Sequence, residues 1–122
     1  MKYLVTGATG QLGRETLLAL QAADKEVTGI GRRDIDFSRP DRVAEGIAAQ
    51  RADWVINCAA YTQVDKAEED RQQAFLVNRD SARAVAEGVA AYGGRLLHIS
   101  TDFIFDGEQS HPYVEDDPAN PL

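Results

Sequence analysis

One short stretch constrains this chain more than any other. Gly7, Gly10 and Gly13 fall as G-x-x-G-x-x-G, directly after the apolar run Lys2-Tyr3-Leu4-Val5-Thr6. The run reads as a strand and the residues from about Leu12 as a helix, so the glycines occupy a βα turn. The first glycine permits a tight turn out of the strand. The second leaves no Cβ between the backbone and an approaching pyrophosphate, and the third lets helix and strand pack closely. The helix N-terminus aims free N–H groups and a partial positive charge at the same place. The spacing differs from G-x-G-x-x-G, but the mechanics are those of a dinucleotide-binding turn. A plain βα turn without a ligand is the blander reading; the position between a strand and an amphipathic helix argues against it.

The first helix, Leu12 to Ala22, shows Leu12, Leu17, Leu18, Ala19 and Leu20 as its apolar face. Asp24-Lys25 turns the chain into a second strand, Glu26 to Ile30, completing a βαβ unit. NAD-binding domains place an acid at the end of this strand for the ribose 2′-OH. Here Gly31 stands there, followed by Arg32 and Arg33. Guanidinium forks match a phosphate, so the pair points to a 2′-phosphate and to NADP(H) in preference to NAD(H), which stays possible. A solvated arginine pair is the plainer alternative. Asp36 and Phe37 lie where an adenine ring would come, Phe37 offering its apolar face. Ser38 or Asp41 is expected to cap a helix over Pro40 to Gln50, with Pro40 in its first turn.

The third strand, Asp53 to Asn57, is nearly all apolar, as in a parallel strand covered on both faces. Asn57-Cys58-Ala59-Ala60-Tyr61-Thr62 leaves its carboxyl end, where open α/β sheets bind ligands. Cys58 lies in an apolar run and reads as a small core residue rather than a nucleophile. Val64 to Asp70 reads as a short charged helix with a solvated face. A long helix from about Arg71 to Tyr92 buries Phe75, Ala82, Val85 and Val89, with Asn78 on the same stripe. That asparagine either bonds the backbone of a neighbouring loop or is an ordinary half-buried helix residue. Gly93-Gly94 stops the helix, and Arg95 to Ile99 is the fourth strand. Ser100, Thr101 and Asp102 sit at its carboxyl end, Phe103 to Phe105 reads as extended, and the tail from Glu108 is an irregular loop. His98 is expected to point into a sheet face and His111 to lie in the polar loop.

Strand–helix alternation over the whole length predicts an α/β fold: a Rossmann-like doubly wound parallel sheet of about four strands in the order 3-2-1-4. The 122 residues are enough for one domain core without staples. A net charge of −7 disfavours nucleic acid as a partner. One cysteine cannot close an internal disulfide, which suits a reducing cytoplasm. No apolar run reaches membrane-spanning length, and with a core strand at residues 2–6 a signal peptide is not expected. No metal-ligand spacing is evident.

Several stretches carry a resemblance: TGATGQLG (Thr6–Gly13), DIDFS (Asp34–Ser38), NCAAYTQVDKAEED (Asn57–Asp70), VNRDSA (Val77–Ala82), STDFIFDG (Ser100–Gly107) and YVEDDPANPL (Tyr113–Leu122). Through them the chain resembles the extended short-chain dehydrogenase/reductases, and among these the dTDP-4-dehydrorhamnose reductases. The resemblance implies that Gly7, Gly10, Gln11 and Leu12 cradle the dinucleotide phosphates, with Arg32 and Arg33 at the 2′-phosphate and Asp36 and Phe37 near adenine. It implies that Ala59, Ala60, Tyr61 and Thr62 line the cofactor, supported by Asn78. Ser100, Thr101 and Asp102 reach the active site, and Thr101 or Ser100 supplies the hydroxyl of a Ser/Thr–Tyr–Lys set, which stabilises the substrate carbonyl oxygen. The expected parent activity is NADPH-dependent reduction of the C4 keto group of dTDP-4-dehydro-β-L-rhamnose. A non-catalytic NADP-binding regulatory module and another sugar-nucleotide reductase or epimerase are the competing expectations. The chain departs from the pattern in one place. The residues four after Tyr3, Tyr61, Tyr92 and Tyr113 are Gly7, Asp65, Leu96 and Asp117, so no tyrosine here makes the Tyr-x-x-x-Lys pair. Residues 1–122 are therefore expected to be the incomplete N-terminal portion of a longer reductase, inactive alone and prone to self-association through the uncovered edge of the fourth strand.

Overall fold

The computed structural model describes residues 1–121. Each expected strand forms. β1 (Lys2–Thr6), β2 (Glu26–Ile30), β3 (Trp54–Asn57) and β4 (Arg95–His98) make one parallel sheet in the order β2-β1-β3-β4. The register aligns Ile30, Thr6, Asn57 and His98 in one row at the carboxyl ends.

This order corrects the expected 3-2-1-4: β3 pairs with β1, not with the outer edge of β2. The cause lies in the residues that leave β2. The Asp34 carboxylate accepts from the Gly31 N–H at 2.8 Å, and Asp36 accepts from the Ser38 N–H and hydroxyl at 2.9 and 2.6 Å. These local bonds fold the segment into a turn instead of leading it outward. Ile35 and Phe37 then bury themselves in the core, on the way to α2 (Pro40–Gln50). The connection therefore passes back over β1. Two right-handed crossovers in opposite directions put α1 (Gln11–Ala22) on one face of the sheet and α2 on the other. The reversal leaves a switch point between the carboxyl ends of β1 and β3.

The main core fills the space between the sheet and α2. Leu4 and Val55 from the strands meet Val43 and Ile47 of α2 and Val85 and Val89 of the last helix, all buried. Each such side chain contributes about 1.5–3 kcal/mol by leaving water. The other face is thinner. Leu17 of α1 packs on Gly29 of β2, but Leu12 and Leu18, expected in the apolar face, are 49% and 47% exposed. α1 lies mainly over β1 and β2, so its far side buries little among the described residues.

The long helix expected over Arg71 to Tyr92 is broken into pieces. α3 (Val64–Glu69) ends before Asp70, whose carboxylate caps α4 (Arg71–Phe75) by accepting from the Gln73 N–H at 3.2 Å. A π-helical turn, Leu76–Asp80, precedes α5 (Ser81–Ala90). The wider turn shifts the phase of the helix, because it spends an extra residue without advancing the buried face. Phe75 is therefore not in the stripe but 52% exposed, with the Arg79 guanidinium 4.7 Å over its ring. Ala82 is half-buried, and the face is made by Ser81, Ala84, Val85, Gly88 and Val89. The cap of α2 also differs: Arg39 holds that position without a side-chain bond, Ser38 being engaged with Asp36, while Pro40 stands in the first turn as expected.

Beyond β4, Asp102–Ile104 is a 3-10 turn rather than an extended run, because the Thr101 hydroxyl accepts from the Phe103 N–H at 3.2 Å. The tail is irregular, as expected. The outer edge of β4 has no paired strand among the described residues, and Leu97 and Ile99 are exposed there. No helix among the described residues is long and apolar enough to cross a membrane.

Candidate dinucleotide site

The turn after β1 is fixed by sterics. Gly7 has φ of 64°, and a Cβ there would sit 2.8 Å from the Ala59 nitrogen and from the Cys58 carbonyl. At Gly13 a Cβ would lie 2.1 Å from the Gly7 oxygen, so the first turn of α1 rests directly on the strand end. Gly10 differs: it is exposed, its N–H bonds the Gly7 carbonyl at 3.0 Å, and a Cβ would meet only that oxygen. Gly7 and Gly13 thus meet the turn and packing demands the spacing predicts, and Gly10 leaves its backbone open to solvent. Gly10 is also the N-cap of α1 and supplies no side-chain bond, and no carboxylate stands in the first turn. The N–H groups around Gln11 and Leu12, both exposed, face outward with their partial positive charge uncompensated. This cradle fits a dinucleotide pyrophosphate.

Gly31, buried at the end of β2, closes one side. A Cβ there would press on Thr9 at 3.0 Å, so the absence of a side chain keeps the two turns adjacent. Arg32 and Arg33 follow, both exposed, and neither forms an ion pair among the described residues. Asp36 is exposed close by. The Ser38 side chain and N–H, with the charges of Arg39 and Arg32, hold its carboxyl below the usual 3.8. Phe37 does not offer its face to a ligand: it is 7% exposed, packs in the main core, and its carbonyl accepts from the buried Ser81 hydroxyl at 2.6 Å. An aromatic ring in a local turn has more to gain from the core than from water, so Asp36 is the accessible member of the pair.

On the other side, the segment after β3 runs against Gly7. Asn78 holds its far end with two bonds, its Oδ1 accepting from the Tyr61 N–H at 2.7 Å and its Nδ2 donating to the Tyr61 carbonyl at 3.1 Å. Of the two readings of Asn78, the loop-bonding one is the geometry observed, although the residue is exposed rather than on a buried stripe. It sits in the π-helical turn, which rotates it toward the loop. Ala59, Ala60, Tyr61 and Thr62 thus share the carboxyl edge with the glycine turn. Cys58 is half-buried, and burial, partly offset by the Thr16 hydroxyl, pushes its thiol above the ordinary 9.0, which disfavours the thiolate.

Ser100, Thr101 and Asp102 follow β4 at the same edge, all exposed. The Thr101 hydroxyl already serves as acceptor in its local cap, which leaves its proton free to donate. Behind them the tail folds back onto Asp106. Its carboxylate accepts from the Glu108 N–H at 3.0 Å, the Tyr113 hydroxyl at 2.8 Å and the Asn120 amide at 2.8 Å. Tyr113 stacks on Phe105 with ring centres 4.3 Å apart. These bonds hold the Asp106 carboxyl below 3.8.

Sequence reasoning missed a polar row behind these loops. The Thr6 hydroxyl donates to Asn57 Oδ1, and Asn57 Nδ2 lies 3.0 Å from His98 Nδ1. The available signal was that three apolar strands each close on a polar residue. His98 stands at the exposed rim of the sheet rather than within a covered face. His111 lies in the polar tail, as expected, with Nδ1 3.2 Å from the Pro112 carbonyl oxygen.

The sequence profile of the RmlD substrate binding domain matches residues 1–122. The chain belongs to this family. It is 42% identical over 122 residues to the dTDP-4-dehydrorhamnose reductase of Burkholderia thailandensis, covering 100% of this chain and 41% of that protein. It is likewise 42% identical to a probable dTDP-4,6-dihydroxy-2-methyloxan-3-one 4-ketoreductase of Streptomyces antibioticus, over 99% of this chain and 41% of that one. The structure of dTDP-4-dehydrorhamnose reductase from Bacillus anthracis, solved with NADP, superposes with a TM-score of 0.90 at 32% identity, covering 98% of this chain and 43% of that one. The chain thus spans about two-fifths of the length of these relatives of the RmlD family.

Proposed function

We propose that residues 1–122 are the NADP(H)-binding portion of a reductase acting on the C4 keto group of a dTDP-linked 6-deoxy-4-keto sugar, with dTDP-4-dehydro-β-L-rhamnose as substrate and dTDP-L-rhamnose as product. One observation carries the reading: the cradle of Gly7, Gly10 and the start of α1 opens beside two exposed arginines at the end of β2, unpaired among the described residues. NADPH supplies the hydride when bound. This chain's residues do the rest of the holding. The N–H groups at Gly10, Gln11 and Leu12 bind the pyrophosphate, and Arg32 and Arg33 take the 2′-phosphate. Asp36 borders the adenosine, and Ala59 to Thr62, held by Asn78, line the nicotinamide side. Thr101 or Ser100 donates to the substrate carbonyl oxygen, and Asp102 borders the same place. The proton donor of such a reductase, a Tyr-x-x-x-Lys pair, is not formed by any tyrosine of this sequence. The reading therefore assigns cofactor binding to this chain and turnover to a protein that also carries that pair. NAD(H) is the weaker cofactor in this reading, and the setting is the cytoplasm.

The test is a calorimetric titration of the 122-residue chain with NADPH and NADH. NADPH should bind at least about tenfold more tightly, and Arg32→Ala with Arg33→Ala should remove that preference while leaving NADH unchanged. Equal loss for both cofactors would show that the arginines do not read the 2′-phosphate. The unpaired edge of β4, flanked by exposed Leu97 and Ile99, supports a second part of the reading, self-association of this chain through that edge. Sedimentation showing a concentration-independent monomer would exclude it.

A further inference from the structure

We infer that Thr6, Asn57 and His98 form a one-way hydrogen-bond relay across the carboxyl ends of β1, β3 and β4, which fixes His98 as its Nε2–H tautomer and makes it a positioning residue for the loop that starts at Ala59. The positioning half rests on the cofactor reading above; the tautomer half does not.

The direction of the relay follows from the donors available. Thr6 and Asn57 are 0% and 1% exposed, so water is not at hand to replace a lost partner. Asn57 Oδ1 receives the Thr6 hydroxyl proton and also faces the Ala59 N–H at 3.4 Å. A backbone N–H cannot accept. Turning the amide over would set the Asn57 NH2 against the Ala59 N–H, which costs a contact and adds a repulsion. The amide therefore presents Nδ2 to His98, whose Nδ1 lies 3.0 Å away. A donor at that distance needs a lone pair on Nδ1. A neutral imidazole carries one proton, so that proton is on Nε2.

The row is also a mechanical tie. The register places Thr6, Asn57 and His98 directly side by side. Gly7 follows Thr6, Cys58 follows Asn57, and Ser100 stands two residues beyond His98. The relay thus connects the phosphate turn, the cofactor-lining loop and the hydroxyl-bearing segment at their roots. Removing the His98 acceptor takes away the partner that orients the Asn57 amide and frees Asn57 to rotate. The Ala59 N–H then loses the oxygen that holds it.

Two-dimensional long-range 1H–15N spectra of the labelled chain at about pH 8.5, above the usual range of imidazole titration, read the tautomer directly. The expected result is a protonated Nε2 and a lone pair on Nδ1. Asn57→Asp offers only acceptors to His98 and should invert the pattern to Nδ1–H. A mixed or Nδ1–H pattern in the unmodified chain overturns the relay. Positioning is read at the Ala59 amide. In His98→Ala its signal should shift and its exchange quicken about fivefold, and His98→Gln, which restores an acceptor, should bring both back. NADPH affinity should follow, falling about fivefold in His98→Ala and less than about twofold in His98→Gln. Equal behaviour of the two variants at Ala59 overturns the positioning role. If the unmodified chain does not bind NADPH, the cofactor reading fails by itself, and the tautomer and the Ala59 amide still decide the relay. If His98→Ala does not fold, the inversion by Asn57→Asp remains decisive.

Discussion

The turns that leave β1 and β4 stand at the same edge of the sheet and are built on opposite principles. After β1, backbone touches backbone: Gly7 lies against Cys58 and Ala59, and Gly13 against Gly7, with no room for a methyl group at either. After β4, Ser100 to Phe103 are exposed, Phe103 to 68%, and the segment is held by hydrogen bonds to Thr101 and Asp106. Close packing gives one conformation and a steep penalty for leaving it. Exposed hydrogen bonds compete with water, so each adds little and the segment can be adjusted by whatever binds beside it. The glycine turn is thus prebuilt by close packing, while the segment that carries the Ser100 and Thr101 hydroxyls is set by weaker forces.

The largest effect expected breaks the first turn. In a free helix, glycine to alanine gains about 1 kcal/mol. At Gly13 the added Cβ would fall 2.1 Å from the Gly7 oxygen, and that clash outweighs the gain. Gly13→Ala should destabilise the chain by about 3 kcal/mol or more in urea unfolding. The matching change in the second region, Gly107→Ala, meets nothing within 4 Å and faces only the cost of its φ of 78°. That cost is about 1–2 kcal/mol and local to the tail. Similar losses at the two glycines would erase the contrast.

A second comparison separates packing from pattern within one helical segment. Val85 is fully buried, so Val85→Ala should cost about 2 kcal/mol. Phe75, an equally apolar residue ten positions earlier, is 52% exposed, with the Arg79 guanidinium over its ring. Phe75→Ala should cost about 0.5–1 kcal/mol, the worth of an exposed cation–π contact. A loss at Phe75 as large as that at Val85 would mean that the helix runs through in a single phase.

These contrasts mark how far the sequence can be read. Every strand and the glycine turn were legible because steric demands and apolar runs write directly into residue type. The helix phase after Phe75 was not, since nothing in Leu76 to Asp80 announces a π-helical turn; in the structure that turn carries Asn78, which bonds Tyr61. The strand order was lost for a related reason. Alternation of strands and helices predicts a doubly wound sheet, but the side on which β3 joins depends on whether Asp34 to Ser38 turns back. In the structure Ile35 and Phe37 are buried there, and three local side-chain bonds accompany the turn. The candidate site was legible as far as the exposure of Arg32 and Arg33 at the end of β2, which the proposed phosphate contact requires. It was misread at Phe37, whose apolar face served the core, and overlooked at Thr6, Asn57 and His98, whose roles exist only across strands.

Asn78 sharpens the comparison from within the packed side, because it holds the far end of the loop that runs against Gly7 by hydrogen bonds. Asn78→Ala removes both bonds to Tyr61 and should cost about 1 kcal/mol in stability, with faster exchange of the Tyr61 amide. Asn78→Asp keeps the acceptor for the Tyr61 N–H but loses the donor to its carbonyl, so Tyr61 protection should fall by less than in the alanine variant. Equal effects would show that the acceptor bond carries nothing.

The smallest effect on overall stability belongs to Asp106, and its pH dependence is its signature. The carboxyl is held below its ordinary 3.8 by the Glu108 N–H, the Asn120 amide and the Tyr113 hydroxyl. A carboxyl lowered in the folded state stabilises it fully above the unfolded value. That contribution is lost as pH falls below 3.8 and through the folded value. The tail should therefore loosen in that acidic window, with loss of the Phe105–Tyr113 stack in near-ultraviolet circular dichroism. Amide protection in β1 and α5 should outlast it. Asp36 and Asp80 are also lowered, by Ser38 and by Arg79, and titrate nearby, so pH alone does not isolate the clasp. Asp106→Asn does: it should show the loosened tail at neutral pH, with the core amides unchanged and no further tail transition on acidification. If tail and core are lost together in either experiment, the segment after β4 belongs to the same cooperative unit as the glycine turn, and the difference between the two turns is one of exposure alone.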